Sequence, residues 1–276
     1  MTGGPQPGRW SDLGRRITSA LILLGIGLAL ALSTGVVLRL FMASFIGLTF
    51  WELANMTGWR YPAMHETPFG RARPMVLALL AGISLFLSLM VGSYWGLLYL
   101  ALPLIAGLPG AISRDRVTYA VFGVAILLVG YGLVIMREDY GLAFVIWLMG
   151  VVFLSDILGY FAGKFFGGPK FWPRLSPKKT WSGTIAGWVG ALVLGLILWF
   201  SSHGDPALIW ISPLVAFAGQ MGDIAESWLK RRAGVKDSSN LIPGHGGFMD
   251  RFDAVSGAVL AVLFISILTH IPVLVF

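Results

Sequence analysis

Residues 117–136 read VTYAVFGVAILLVGYGLVIM, an uninterrupted run without one charged side chain. A helix rises about 1.5 Å per residue, so this run alone matches the roughly 30 Å hydrocarbon core of a bilayer. On either side of it, windows of about 19 residues find eight more apolar stretches, at 17–33, 36–54, 75–92, 94–111, 140–163, 183–201, 207–226 and 254–274. None alternates like a barrel strand, and backbone polar groups in lipid must be satisfied within their own segment, so all nine are expected to be helices. The fold class is therefore all-α and polytopic, an integral membrane protein with about nine transmembrane helices.

Composition agrees. Of 276 residues, 57% are hydrophobic and only 12% are charged, with a mean hydropathy of +0.80. A soluble domain carries about 25% charged residues. So apolar a chain lacks the polar surface to coat a water-soluble globule, which excludes the soluble, disordered and fibrous classes. The absence of cysteine excludes a disulfide framework and any Cys-ligated zinc or iron–sulfur site.

With the N-terminus cytoplasmic, the inner loops and flanks collect Arg9, Arg15, Arg16, Arg60, Arg71, Arg73, Arg114, Arg116, Lys164, Lys170, Arg174, Lys178, Lys179, Lys230, Arg231, Arg232, Lys236 and Arg251, which is 18 of the 20 basic residues. Only Arg39 and Arg137 fall toward the outer side. The net charge of +7 is thus first a topology signal that fixes the N-terminus inside and the C-terminus outside, and no nucleic-acid partner is expected. Part of it can also meet anionic headgroups. Arg15, Arg16, an apolar run and Ala29-Leu30-Ala31 resemble a signal peptide, but the run continues as a membrane segment in a chain full of them, so it is expected to stay uncleaved.

Three loops are long, 55–74, 164–182 and 227–253, and all three face the cytoplasm in this topology. Outer loops such as Ser201–Pro206 are too small to hold a site. Chemistry is therefore expected on the cytoplasmic side of residues 137–276, with residues 1–136 as a scaffold that also gives lipid access. No internal or inverted repeat of the kind that marks many secondary transporters is evident.

The carboxylates carry the functional signal. Five of the 13, Asp223, Glu226, Asp237, Asp250 and Asp253, lie within residues 223–253 together with Lys230, Arg231, Arg232, Lys236 and Arg251. A charge-dense loop can be plain solvated surface, and topology already accounts for the basic residues. Acids contribute little to topology and are costly near hydrocarbon unless paired, metal-bound or facing water. Asp223 and Glu226 stand i, i+3 at the end of an apolar helix and share a face, and Asp250 and Asp253 repeat the spacing where the last helix begins. Asp253 can also be a helix cap and nothing more. Asp156 sits inside a membrane segment, which marks a functional site or an ion pair with Lys164 or another basic neighbour.

Between the acidic pairs runs Ile242-Pro243-Gly244-His245-Gly246-Gly247-Phe248. Glycines on both sides of a histidine suit a turn whose amides approach phosphate, and they suit an ordinary connector too. A second basic loop, Ser176-Pro177-Lys178-Lys179-Thr180-Trp181-Ser182-Gly183, ends where a helix starts and offers another anion site. There is no GxxxxGK[ST], HExxH or GxSxG motif, and His65, His203 and His270 have no ligand-like spacing. Oxygen ligands beside many cations suit Mg²⁺ and a polyphosphate substrate.

Read as one string, Ser227 to Lys236-Asp237, then Pro243-Gly244-His245-Gly246-Gly247 and Asp250-Arg251-Phe252-Asp253, resembles the signature of the phosphatidate cytidylyltransferases, also called CDP-diacylglycerol synthases, at every fixed position. The segments Ser155–Lys164 and Ser176–Trp181 resemble two further motifs of that family. The specific match covers about residues 150–260. Departures are Ser182, where the family usually has glutamate, Gly159, where it usually has alanine, and Ser239, where glycine is common. The last two are small-for-small and are expected to change little.

The resemblance implies transfer of the cytidylyl group of CTP to phosphatidic acid, giving CDP-diacylglycerol and pyrophosphate in phospholipid biosynthesis, with a divalent cation. It implies Asp223 and Asp250 as metal ligands, Glu226 and Asp253 as further ligands or orienters, and Lys230, Arg231 and Lys236 on the triphosphate or lipid phosphate. Asp237 would align a lysine, Gly244, His245, Gly246 and Gly247 would meet phosphate through backbone, and Lys178, Lys179 and Thr180 would hold it from another side. Ser227 would reach nucleotide or metal, and Asp156 would join the substrate site. Mg²⁺, a possible second cation, a bilayer, a homodimer and a bacterial inner-membrane location with the site facing the cytoplasm complete the expectation. Two other readings compete: a CTP-dependent kinase of polyprenol-type lipids, and an ion-coupled transporter with Asp156 and Asp223 as coupling sites. The acids cluster near one membrane boundary and the outer side is nearly devoid of polar residues, which weighs against transport.

Overall fold

The computed structural model describes residues 9–58, 68–202 and 205–269. Arg60, His65, His203 and His270 lie outside them, as do the side chains of Arg9, Arg15, Arg16 and Arg71. The long apolar runs form helices, as lipid demands of the backbone. They are α1 (Arg9–Leu32), α2 (Gly35–Thr57), α3 (Pro68–Val91), a short α4 (Ala101–Gly107), α5 (Arg116–Phe165), α6 (Trp181–Ser202), α7 (Leu208–Ala233) and α8 (Met249–Thr269). Among the described residues, six helical stretches are long and apolar enough to cross a membrane. The protein is all-α and polytopic, and large apolar side chains such as Leu24, Ile105 and Phe200 stand on its outer surface, where lipid rather than water is the fitting neighbour.

Two stretches depart from simple crossing helices. Residues 94–111 form a 3-10 helix over Tyr94–Leu100, then α4, then a 3-10 turn over Leu108–Gly110. Pro103 and Pro109 remove backbone donors in this run, and a 3-10 helix rises about 2.0 Å per residue, so the segment covers more distance than its length in α-helix would. Residues 117–136 and 140–163 belong to one element, α5, which breaks at Gly141 with φ 72° and ψ −163°, a conformation open in practice to glycine alone.

Two apolar cores meet in the middle of the molecule. One joins α2, α3 and the first half of α5 around Phe50, Leu53, Leu85 and Tyr119. The other joins the second half of α5 with α6, α7 and α8 around Phe144, Trp147, Val215 and Val259. Leu133 and Phe252 touch both.

Polar contacts mark the two ends of the bundle. At one, Arg232 donates to Asp115 at 2.7 Å, and Arg73 donates to the Gly107 carbonyl at 2.7 Å. At the other, Arg39 forms a two-pronged pair with Glu138 at 3.0 and 2.8 Å and also reaches the Leu89 carbonyl, while Arg137 donates to Ala31 O. The two cations that the charge count leaves on the outer side are thus bonded to other helices at this end.

Of the long loops, 164–182 folds into a two-stranded antiparallel hairpin, β1 (Lys170–Trp172) and β2 (Ser176–Thr180), which feeds directly into α6. The segment between α7 and α8 begins with Gly234 in the left-handed conformation that ends α7.

Candidate active site

Helix α7 brings Asp223 and Glu226 to its site-facing end on one face, and the first turns of α8 bring Asp253 against them. The approach is close because two glycines allow it. A Cβ at Gly222 would lie 2.3 Å from Asp253 O, and one at Gly257 would lie 2.2 Å from Ala218 O, so α7 and α8 cross with backbones nearly touching. As a result Asp223, Glu226 and Asp253 each present a carboxylate oxygen within 4.8 Å of the others. Such an oxygen-only cluster fits a hard cation such as Mg²⁺. Glu226 is buried and its Oε1 receives no donor among the described residues, so that oxygen suits a cation.

Asp223 and Asp253 open onto a cavity of about 520 Å³ between α5, α6, α7 and α8. Three cations border it, Lys164 on α5 and Lys178 and Lys179 on β2, with Asp156, Tyr160 and Thr180. Lys179 Nζ lies 2.5 Å from Asp223 Oδ2, tying the hairpin to the acidic cluster. Thr180 accepts the Gly183 amide at 3.2 Å and so caps the start of α6. The floor is polar and ordered: Gln220 donates to Ser155 Oγ at 3.1 Å and accepts from Trp188 Nε1 at 3.0 Å. A cavity of this size suits a ligand as large as a nucleotide.

Behind the cavity lies a second layer. Lys230 bridges Glu226 at 2.5 Å and Asp250 at 2.6 Å. The other Asp250 oxygen accepts the Ser238 amide and hydroxyl and the Gly247 amide, at 2.9, 3.0 and 2.7 Å. Asp250 thus adjoins Glu226 without being one of the three clustered carboxylates, and Lys230 serves as counter-charge between two acids instead of lining the cavity.

Part of the glycine-rich turn is bonded within its own loop. Gly244 and Gly246 adopt positive φ. The His245 amide bonds Ile242 O, the Gly247 amide bonds Asp250, and His245 Nδ1 lies 2.6 Å from Ser19 Oγ of α1. These two amides hold the loop, while Gly244 is exposed. Arg231, Lys236 and Asp237 are exposed and do not border the cavity, and Ser227 does not border it either. Asp156 does, with no ion pair to Lys164; that lysine lies instead over the Tyr160 ring at 5.8 Å.

Residues that the sequence did not assign to the site complete the picture. Lys164 and Tyr160 share the face of Asp156 at i, i+4, i+8, a spacing that helical periodicity reveals once Asp156 is placed on a helix. Glu52, on α2, was readable as an acid inside an apolar stretch. Of the departures from the family pattern, Ser182 bonds the Gly167 carbonyl at 2.5 Å. Alanine at 159 would sit 3.2 Å from Gly183 O and need only a slight shift. Ser239 is not a neutral change: its hydroxyl donates to Glu52 at 2.5 Å, a bond glycine cannot make.

This arrangement, clustered carboxylates beside a lysine-bordered cavity, suits phosphate chemistry on a polytopic helical scaffold. Comparison with known proteins makes the class specific. The model of the cytidylyltransferase family matches residues 14–270. A phosphatidate cytidylyltransferase of Brucella abortus is 34% identical over 268 residues, covering 96% of this chain and 97% of that protein. One of Pseudomonas aeruginosa is 34% identical over 265 residues, covering 90% and 94%, and one of Bacillus subtilis is 42% identical over 120 residues, covering 42% and 45%. The chain belongs to the phosphatidate cytidylyltransferase family.

Proposed function

We propose that the protein transfers the cytidylyl group of CTP to phosphatidic acid, forming CDP-diacylglycerol and pyrophosphate. The observation that carries this reading is the cavity bordered by Lys164, Lys178 and Lys179 above Asp223 and Asp253, in a chain of this family. A phosphate oxygen of the lipid attacks the α-phosphorus of CTP, the bond to the β-phosphate breaks, and pyrophosphate leaves. The nucleophile is already ionised at neutral pH, so no strong base is needed. The barrier lies in bringing anions together in line and stabilising charge on the transferred and leaving groups.

Asp223, Glu226 and Asp253 would hold Mg²⁺, which would neutralise the triphosphate and the departing pyrophosphate. Lys178 and Lys179 hold phosphate oxygens on one side and Lys164 on the other. Thr180 and Asp156 orient the nucleotide. Lys230 and Asp250 keep the acids and the α8 entry in register, and a second cation is a further element of the reading. Arg231 and Lys236, exposed on the same side as the loop, attract anionic substrate to this face.

Nine membrane crossings with a cytoplasmic N-terminus, a bacterial inner-membrane location and a site facing the cytoplasm belong to the same proposal. Supporting it are the nine apolar stretches, the gathering of 18 of 20 basic residues on one side and the bacterial sources of the relatives. A homodimer is carried over from the resemblance.

The position of the label in CTP tests the reaction. With purified protein, Mg²⁺ and phosphatidic acid, label in the α-phosphate is expected in the lipid product and label in the γ-phosphate in pyrophosphate. Transfer of the γ-label to lipid would instead identify a kinase.

A further inference from the structure

We propose that Glu52 of α2 is a positioning residue for this reaction, a carboxylate from the N-terminal half that fixes the segment carrying Asp250 and Asp253. The inference rests on the reading of the site given above. Glu52 is completely buried. Its Oε1 accepts the Ser239 hydroxyl at 2.5 Å and the Phe248 amide at 2.8 Å, and its Oε2 accepts the Met249 amide at 2.7 Å. Phe248 and Met249 open α8, where backbone donors have no partner within the helix and negative charge is favoured. Glu52 supplies both partner and charge from a different helix.

The loop is thereby gripped from two sides. Asp250 holds Ser238 and Gly247, while Glu52 holds the adjoining Ser239 and Phe248. Gly247 passes between them, and a side chain there would overlap the Ser238 hydroxyl and the Glu52 carboxylate. Two turns earlier on α2, Phe45 packs edge-on against Phe248 and Phe252, with ring centres 5.5 and 4.2 Å apart. Apolar packing thus brings α2 and the start of α8 together, and Glu52 sets their register. Through that register it acts on Asp250, Lys230 and Asp253 without touching substrate.

Only a carboxylate satisfies this position. Both oxygens receive backbone N–H donors, so a glutamine must turn its own NH₂ toward one of them and bury two donors face to face. The test compares E52Q, S239G, S238A and the E52Q/S238A pair in purified full-length protein, with wild type alongside. E52Q is expected to lower kcat at least about tenfold while changing the KM for CTP by less than about threefold, the pattern of lost alignment rather than lost binding. S239G leaves both amide bonds and is expected to cost less than E52Q. Since Glu52 and Ser238 act on one segment, the pair is expected to cost clearly less than the product of the single effects. A kcat for E52Q within about twofold of wild type, or single effects that multiply as for independent sites, overturns the proposal. If E52Q does not accumulate as folded protein, the same cycle run on S239G and S238A decides by the same criterion. Wild type that makes no CDP-lipid would overturn the reading of the reaction itself, an outcome visible before any variant is compared.

Discussion

Asp223→Asn is expected to lower CDP-diacylglycerol formation by roughly 10²–10³-fold, the scale of losing one fixed electrostatic group at a charge-developing site. Asp223 is where the acidic cluster, the cavity and Lys179 converge. Asparagine keeps the shape and removes the charge, leaving two carboxylates for the cation and Lys179 without its ion pair. The Lys179–Asp223 pair is partly exposed, with side-chain exposures of 23% and 32%, so the fold should lose little, about 0–1 kcal/mol. Initial rates with CTP and phosphatidic acid, measured beside a thermal unfolding curve in detergent, check both halves. Near-normal activity in a folded variant would remove Asp223 from the site.

Asp250→Asn is expected to behave differently, with activity and stability falling together. One Asp250 oxygen takes Lys230 and the other takes Ser238 and Gly247, so an asparagine NH₂ must oppose a donor in either orientation. Lys230 then keeps its ion pair with Glu226 at a nearly buried place. Removing one member of a buried pair costs about 3–5 kcal/mol, so the melting temperature should drop by several degrees and activity by at least about a hundredfold. Loss of activity with an unchanged melting temperature would place Asp250 on the cation rather than in the scaffold of the loop.

The contrast between these residues shows what sequence pattern carries. Asp223 and Glu226 were readable as a pair because i, i+3 spacing fixes a shared helix face. That Asp253 joins them depends on where α8 crosses α7, which is set by Gly222 and Gly257 across a contact distant in the chain. The apolar runs announced the helices because lipid enforces one backbone solution, and the same rule could not foresee that residues 94–111 divide into 3-10 segments around a short α-helix. The glycines around His245 were readable as a tight turn, but their spacing is silent on which way the amides point. Glu52 escaped because its partners lie almost 200 positions away in sequence.

The central claim is that Asp223, Glu226 and Asp253 form the cation site. Mn²⁺ binding to the purified protein, followed by electron paramagnetic resonance with and without CTP, tests it without relying on turnover. The account predicts a bound Mn²⁺ signal in wild type that Mg²⁺ displaces, that D223N and D253N weaken at least about tenfold, and that S239G leaves in place. Unaltered Mn²⁺ binding in both folded aspartate variants would contradict it.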